Sequence, residues 1–364
     1  MNIDFLKVCS DVTKTARKIP QSQYLSSGQY PIFDQGQKTI SGYYNDAGNI
    51  ANDFPYIVFG DHTRVLKYVN EPCYIGADGV KLLKIINNDF VPKYVFYALL
   101  ANPVNSQGYS RHFKFLKEKK IKIASKKEQR FVVEKLDSIK ESIELKENEL
   151  KSLDELVKSR FIEMFGNPMD EMKWNSTFTE VVIFNPKKSE VKKDMEIEAS
   201  FVPMEAIGTD GSFSIRKSGK IKDFYKGYTY FKDGDVIFAK ITPCFENGKI
   251  AIANHCANKI GFGTTEFHVA RPIPGKTNAE WIMNLLRNDS LHTYASSKMT
   301  GSAGQKRIQT PFFEKLGVYL PPLELQNSFA DFVHLVDKSK FIVQKEIKDL
   351  QELLDKKMDE YFGQ

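Results

Sequence analysis

Lys240, Thr242, Asn247 and Lys249 sit together in one short stretch, KITPCFENGK. A second stretch, MTGSAGQKRIQT at 299–310, carries Ser302, Gln305, Lys306 and Arg307, and the intervening GTTEFHV adds Thr265. Nearer the N-terminus, DQGQKTISGYYNDAGN holds Lys38, Tyr43 and Tyr44, and GDHTRVLK presents His62 and Arg64 beside a turn. These are the side chains that hydrogen-bond base edges and phosphates. Arg and Lys suit guanine, Asn and Gln suit adenine, and Ser or backbone N–H groups suit phosphate. Taken singly, each is ordinary loop surface. The net charge adds little: 52 Lys+Arg against 46 Asp+Glu give +6, which fits a nucleic-acid partner without requiring one.

Bond-breaking chemistry finds no comparable support. An adenine methyltransferase needs an Asn/Asp-Pro-Pro-aromatic loop, whereas FNPKK (184–188) lacks the second Pro and the aromatic and reads as a turn. A phosphate-gripping GxxxxGK[ST] loop is absent, and GTDGSFSIRKSGK has glycines without the spacing. Glu118 and Lys120 are neighbours in KEKK, but no Asp-bearing strand meets them to form a nuclease centre. Glu266 and His268 alternate on one strand face, where Glu266 reads as a structural hydrogen-bonding residue. Cys9, Cys73, Cys244 and Cys256 form no CxxC pair, so a reduced, cytoplasmic protein is expected. Zinc held by Cys244, His255, Cys256 and His268 is conceivable, but structural zinc wants closely paired ligands. No signal peptide is read in MNIDFLKVCSDVTK, and YVFYALLANPV is too short to span a bilayer.

The elements that must position the polar loops announce themselves by repetition. KSLDELVKSRFIEMFG ends at Gly166 and KDLQELLDKKMDEYFG at Gly363, 197 positions on. The same shift lays Gln129 on Gln326, Glu149 on Glu346, Leu153 on Leu350 and Phe165 on Phe362. Within each copy apolar residues recur at alternating steps of four and three. One series runs Val132, Leu136, Ile139, Ile143, Lys146, Leu150, Leu153, Val157, Arg160, Met164. The other runs Phe329, Val333, Val336, Lys340, Val343, Ile347, Leu350, Leu354, Lys357, Tyr361. This is a heptad seam, and each helix of about 38 residues would reach about 57 Å. A seam of that length needs a partner, and the other copy in the same chain is the nearest. Packing on its own globule, or on a second chain, is the alternative. Each copy ends in Phe-Gly, where Gly suits a left-handed cap.

The expected fold is therefore α+β. Two mixed α/β globules (1–120 and 167–317) are joined by two helical regions (121–166 and 318–364). The helices pair as an antiparallel intramolecular coiled coil related by a pseudo-twofold, with the globules at its opposite ends. PYIVFGDHTRVLKYV, DGDVIFAKITP and GKIAIANHC read as strands with turns, and 92–103 and 279–298 as helices. The two globular segments do not align with each other.

KITPCFENGK, GFGTTEFHV, FKDGDVIF and the trailing GSAGQKRI and LPPLELQ together resemble the target recognition domain of Type I restriction–modification specificity subunits. GQYPIFDQGQ, SGYYND and YIVFGDHTRV in the first globule resemble a different subtype of the same domain, without the ITPCxENGK and TEFHV strings. The resemblance covers nearly the whole chain in the family's order. It implies a non-catalytic subunit that binds double-stranded DNA, each recognition domain reading one half of a bipartite, asymmetric target in the major groove. It further implies that the helices set the gap between half-sites and dock two methyltransferase subunits. No cofactor is then expected in this chain. S-adenosylmethionine belongs to the methyltransferase partners, and ATP with magnesium to motor-nuclease partners. The rival reading is a recognition subunit or fragment of another restriction or methylation enzyme type with its own catalytic activity. On either view, Leu136, Ile139, Ile143, Leu150, Leu153, Val157, Val333, Val336, Ile347, Leu350 and Leu354 are the expected helix-pairing residues.

Overall fold

The computed structural model describes residues 2–46, 48–108, 110–192, 194–302 and 304–363. The chain divides into two compact units, Met1–Glu147 with Lys345–Gln364, and Asn148–Gln344. Each is a globule of strands completed by part of a helix pair.

The heptad reading becomes two unbroken helices, Lys126–Phe165 and Leu323–Phe362. Ser125 and Glu128 start the first with a reciprocal cap, each accepting from the other's backbone N–H. Pro321 and Pro322 set the break before the second. Partner numbers run in opposite directions. In the first unit Lys146 meets Glu346 at 2.8 Å. In the second, Lys340 meets Asp154 at 2.5 Å, and the rings of Phe161 and Phe165 close edge-on around Phe329 at 5.5 and 5.4 Å. The pair is an antiparallel intramolecular coiled coil. Among the expected pairing residues, Leu136, Val157, Val333 and Val336 are buried. Ile139, Ile143, Leu150, Leu153, Ile347, Leu350 and Leu354 are half-buried.

The alternative of packing on the globules is realised as well. Val132 and Leu136, with Leu354 and Met358, share a core with Tyr94, Phe96 and Tyr97. Val157, Phe161, Phe165, Phe329, Val333 and Val336 share one with Phe178, Trp281 and Phe313. The seam is widened by Phe161 and Phe165 where it leaves the coil to cover a globule. One capping expectation needs correction. Gly166 has φ +79° and donates its N–H to Ile162 O at 2.8 Å, a left-handed cap. Gly363 donates to Asp359 O at 2.7 Å without adopting a positive φ.

The two globules share a sheet plan that their sequences conceal. In the first unit an antiparallel sheet runs in the order Cys9–Asp11, Val80–Ile85, Tyr56–Gly60, Leu66–Val69. In the second the order is Val182–Phe184, Phe267–Pro272, Val236–Ala239, Ile250–Ile252, again antiparallel. Each unit adds a second four-stranded sheet with a parallel pair at its centre: Tyr30–Phe33 beside Tyr74–Gly76, and Glu198–Val202 beside Ile260–Gly263. Only one edge differs: Lys18–Ile19 lies parallel to its neighbour and Thr229–Lys232 antiparallel. A short strand pair closes each globule where the chain comes in and leaves, Asn2–Asp4 with Lys120–Lys122 and Ser176–Thr177 with Gly317–Val318.

The stretch expected as one helix over 279–298 is two, Ala279–Arg287 and Asp289–Ser297. Asn288 takes an extended conformation between them, and its side chain accepts from Ser290 N and Leu291 N. That makes it an N-cap, which competes with continuing the helix. No helix among the described residues is long and apolar enough to cross a membrane.

Candidate nucleic-acid interface

In the second unit, the strands Val236–Ala239 and Ile250–Ile252 are adjacent and antiparallel, so residues 240–249 form a tip beyond their ends. A strap, residues 300–302 and 304–308, is laid along this tip by backbone bonds. Thr242 N donates to Lys306 O at 2.9 Å, Lys306 N to Thr242 Oγ1 at 3.0 Å, and Ile308 N to Lys240 O at 2.9 Å. The strap closes on itself through Thr300 and Arg307, which exchange both backbone bonds at 3.0 and 2.8 Å. Gly301, at φ +133°, makes the turn; a Cβ there would come within 2.8 Å of Gln305 O.

This geometry brings Lys240, Thr242, Ser302, Gln305, Lys306 and Arg307 together. Ser302, Gln305 and Lys306 are exposed, as are Thr265 and Asn247. Lys249 differs: its ammonium donates to Met204 O at 3.0 Å, within the globule. Arg307 is also committed, its Nε and Nη2 donating to Glu266 Oε2 and Oε1, both at 2.9 Å. The guanidinium holds the Glu266 carboxyl below the usual carboxylate range.

Two histidines brace the tip from beneath. His268, two residues beyond Glu266, is buried among Phe184, Phe238 and Phe313. Its Nε2 donates to Ile308 O at 3.0 Å, and Nδ1 accepts from Asn185 Nδ2 at 3.2 Å. Burial pushes the ring down to about 4, so it is neutral at ordinary pH. His292 stacks on Phe245 at 4.6 Å and donates from Nε2 to Phe245 O at 2.6 Å. Nothing in the sequence distinguishes His292 from a surface residue of a helix. As for zinc, both nitrogens of His268 are engaged, and burial, then Asp233, raises the Cys256 thiol above its ordinary value. No group of His, Cys, Asp and Glu among the described residues could hold a metal ion.

The first unit has an equivalent tip at 61–65, between the adjacent antiparallel strands Tyr56–Gly60 and Leu66–Val69. His62 and Arg64 are exposed there, with Arg64 at φ +64°. Three segments support it. Thr63 Oγ1 donates to Gln35 O at 2.5 Å, Asp61 N to Gly79 O at 2.6 Å, and Arg64 Nη1 to Val104 O at 3.3 Å. Asp61 and His112 are both buried. The Asp61 carboxylate accepts from Phe113 N at 2.7 Å, and His112 Nδ1 donates to Asp61 O at 3.0 Å. The loop before His112 therefore stands beside the tip as the strap does in the second unit. Its exposed Asn105, Ser106, Gln107 and Arg111 were not picked out from the sequence. Their signal was available, since small polar residues and an Arg precede a helix in both loops.

Lys38 is exposed in the 34–41 loop. Tyr43 and Tyr44, expected on loop surface, instead lie in the strand Gly42–Tyr44 and are half-buried. Tyr44 sits edge-on to Tyr74 at 5.5 Å and under Arg17 at 5.2 Å.

The globules are fastened to the long helices by a duplicated glutamine, and both copies are wholly buried. Gln129 Oε1 accepts from Val91 N, and its Nε2 donates to Asp89 O and Ala124 O at 2.7–2.9 Å. Gln326 Oε1 accepts from Asn278 N, and its Nε2 donates to Lys276 O and Pro321 O at 2.9–3.1 Å. Each pins the start of a globule helix, Pro92–Ala101 or Ala279–Arg287, to the first turn of a long helix.

The sequence profile described as Type I restriction modification DNA specificity domain matches residues 4–155 and 173–352. Over 170 residues the chain is 43% identical to the specificity subunit of the Type I restriction enzyme EcoEI of Escherichia coli, covering 44% of this chain and 28% of that protein. Over 177 residues it is 43% identical to the EcoAI specificity subunit of Escherichia coli, covering 46% and 29%. These matches span under a third of the relatives' own length. Among solved structures, the S subunit of a Type I restriction-modification system from M. genitalium superposes with a TM-score of 0.55 at 15% identity, over 98% of this chain and 94% of that one. A chain from a study of complex assembly and conformational transition of the type I R-M system gives 0.55 at 16% identity, over 100% and 97%. Those two likenesses are of fold. With profile matches running through both globules and into both long helices, this chain belongs to the family of Type I restriction modification DNA specificity domains.

Proposed function

We propose that this chain is the DNA-recognition subunit of a Type I restriction–modification complex and carries no catalysis of its own. Each unit reads one half of a bipartite target through the major groove. Because the two tips carry different residues, the target is asymmetric. The helix pair sets the gap between half-sites and docks two methyltransferase subunits, which supply S-adenosylmethionine chemistry. Motor-nuclease subunits using ATP and magnesium complete the enzyme, which works in the cytoplasm.

One observation carries this reading: the tip and strap of the second unit gather Lys240, Thr242, Ser302, Gln305 and Lys306 into one polar, basic surface. Docking is supported by apolar side chains off the seam. Leu335, Phe341 and Ile342 are 63%, 69% and 58% exposed on one long helix, more than a solvent-facing coil needs.

The test is a methylation map of a host expressing this chain with its methyltransferase and motor-nuclease partners. A single split, asymmetric motif is expected. The purified chain alone, given S-adenosylmethionine and DNA, should transfer no methyl groups. A contiguous or palindromic motif, or methyl transfer by the isolated chain, would refute the assignment.

A further inference from the structure

We propose that Arg307 is a positioning residue: paired with Glu266, it locks the strap in the pose that presents Ser302, Gln305 and Lys306. The inference rests on the recognition role argued above.

Reading guanine requires two guanidinium N–H groups free to meet two acceptors. In Arg307 three of the five guanidinium N–H groups are already committed, the Nε and Nη2 edge to the Glu266 carboxylate and one Nη1 N–H to Gln305 O at 3.2 Å, which leaves one on each terminal nitrogen. Bidentate charge-assisted pairing of this kind is among the stronger side-chain interactions. The backbone of Arg307 is held at the same time by Thr300 on both its N–H and its carbonyl. The strap is thus fixed at two points near the start of one strand: Glu266, in the turn just before Phe267–Pro272, takes the Arg307 side chain, and His268, within that strand, donates to the next carbonyl, Ile308 O. Glu266 anchors the other loop too, since its carbonyl accepts from Lys240 N at 2.9 Å.

Charge points the same way. A carboxylate on a surface built for a polyanion repels it unless neutralised, and Arg307 supplies the neutralising charge. Removing Arg307 therefore frees the strap and unmasks Glu266 together. The three side chains around the lock carry no such commitments: Ser302, Gln305 and Lys306 are exposed along the strap.

The experiment measures binding of the assembled complex to its mapped target and to scrambled duplex, for four variants. If Arg307 is a lock, Arg307→Ala and Glu266→Ala lose specific affinity to a similar extent, about tenfold. The exchange Glu266→Arg with Arg307→Glu then recovers most of it with the methylation motif unchanged. If Arg307 touches DNA, Glu266→Ala leaves it freer and binds as well or better, and the exchange stays defective because a carboxylate faces the duplex. Either result overturns the proposal. Should the alanine variants fail to fold, Glu266→Gln decides: severalfold weaker binding supports the lock, and equal or tighter binding refutes it. A wild-type complex without a split motif overturns the recognition role itself, which is a different failure.

Discussion

His268 shows how one buried ring ties recognition geometry to pH. Its pKa in the fold is about 4, because burial disfavours the imidazolium; nearby Lys240 adds to this and Glu266 opposes it. An unfolded histidine titrates near 6.5. Above that value the ring is neutral in both states and its hydrogen bonds contribute fully. As pH falls from about 6.5 to about 4, the unfolded chain takes up a proton that the native ring refuses. Stability is lost across that window and not further below it. The shift corresponds to roughly 3 kcal/mol in total. The stability difference between wild type and His268→Gln, measured by denaturant unfolding at pH 7 and 4.5, should therefore shrink or reverse at the lower pH. A difference independent of pH would mean the ring is not held neutral.

At the scale of elements, the duplicated glutamine sets how each globule meets its helix. Gln326→Leu would leave Asn278 N–H, Lys276 O and Pro321 O without their partner in a buried place, at about 1–3 kcal/mol for each orphaned group. Amide hydrogen exchange at Asn278 should accelerate on the order of a hundredfold, equivalent to about 3 kcal/mol, while Val91 in the other unit keeps its protection. Gln129→Leu should do the reverse, and uniform loss at both amides would argue against two independent latches. The alignment of Gln129 with Gln326 was plain in the sequence, but its meaning was not. A glutamine in the first turn of a helix reads as surface, and only the fold shows carbonyls converging on it. The seam itself was legible because a period of three and four is local. The common sheet plan of the globules was hidden because strand pairing is non-local and the strands' sequences have diverged. The tips at 61–65 and 240–249 could be located, yet the commitment of Arg307 to Glu266 and of Lys249 to Met204 could not, since the partners are distant in sequence.

For the whole molecule, a net charge of +6 is small for the DNA-recognition role proposed above, which therefore draws its affinity from the few cations placed at the tips. Each phosphate neutralised releases counterions, and the slope of log affinity against log salt is about −0.9 per contact. If about six phosphates are engaged, raising salt from 50 to 200 mM should weaken binding of the assembled complex about a thousandfold. A nearly flat salt dependence would show that backbone phosphates are not what the tips hold.

In each unit the chain comes into the globule and departs from it side by side, at Asn2–Asp4 against Lys120–Lys122 and at Ser176–Thr177 against Gly317–Val318. Every intervening loop is thus a detour with fixed ends. Residues at its far point can drift without disturbing the coil, so, on the proposed recognition role, preference for a new stretch of DNA can arise by substitutions that leave folding alone.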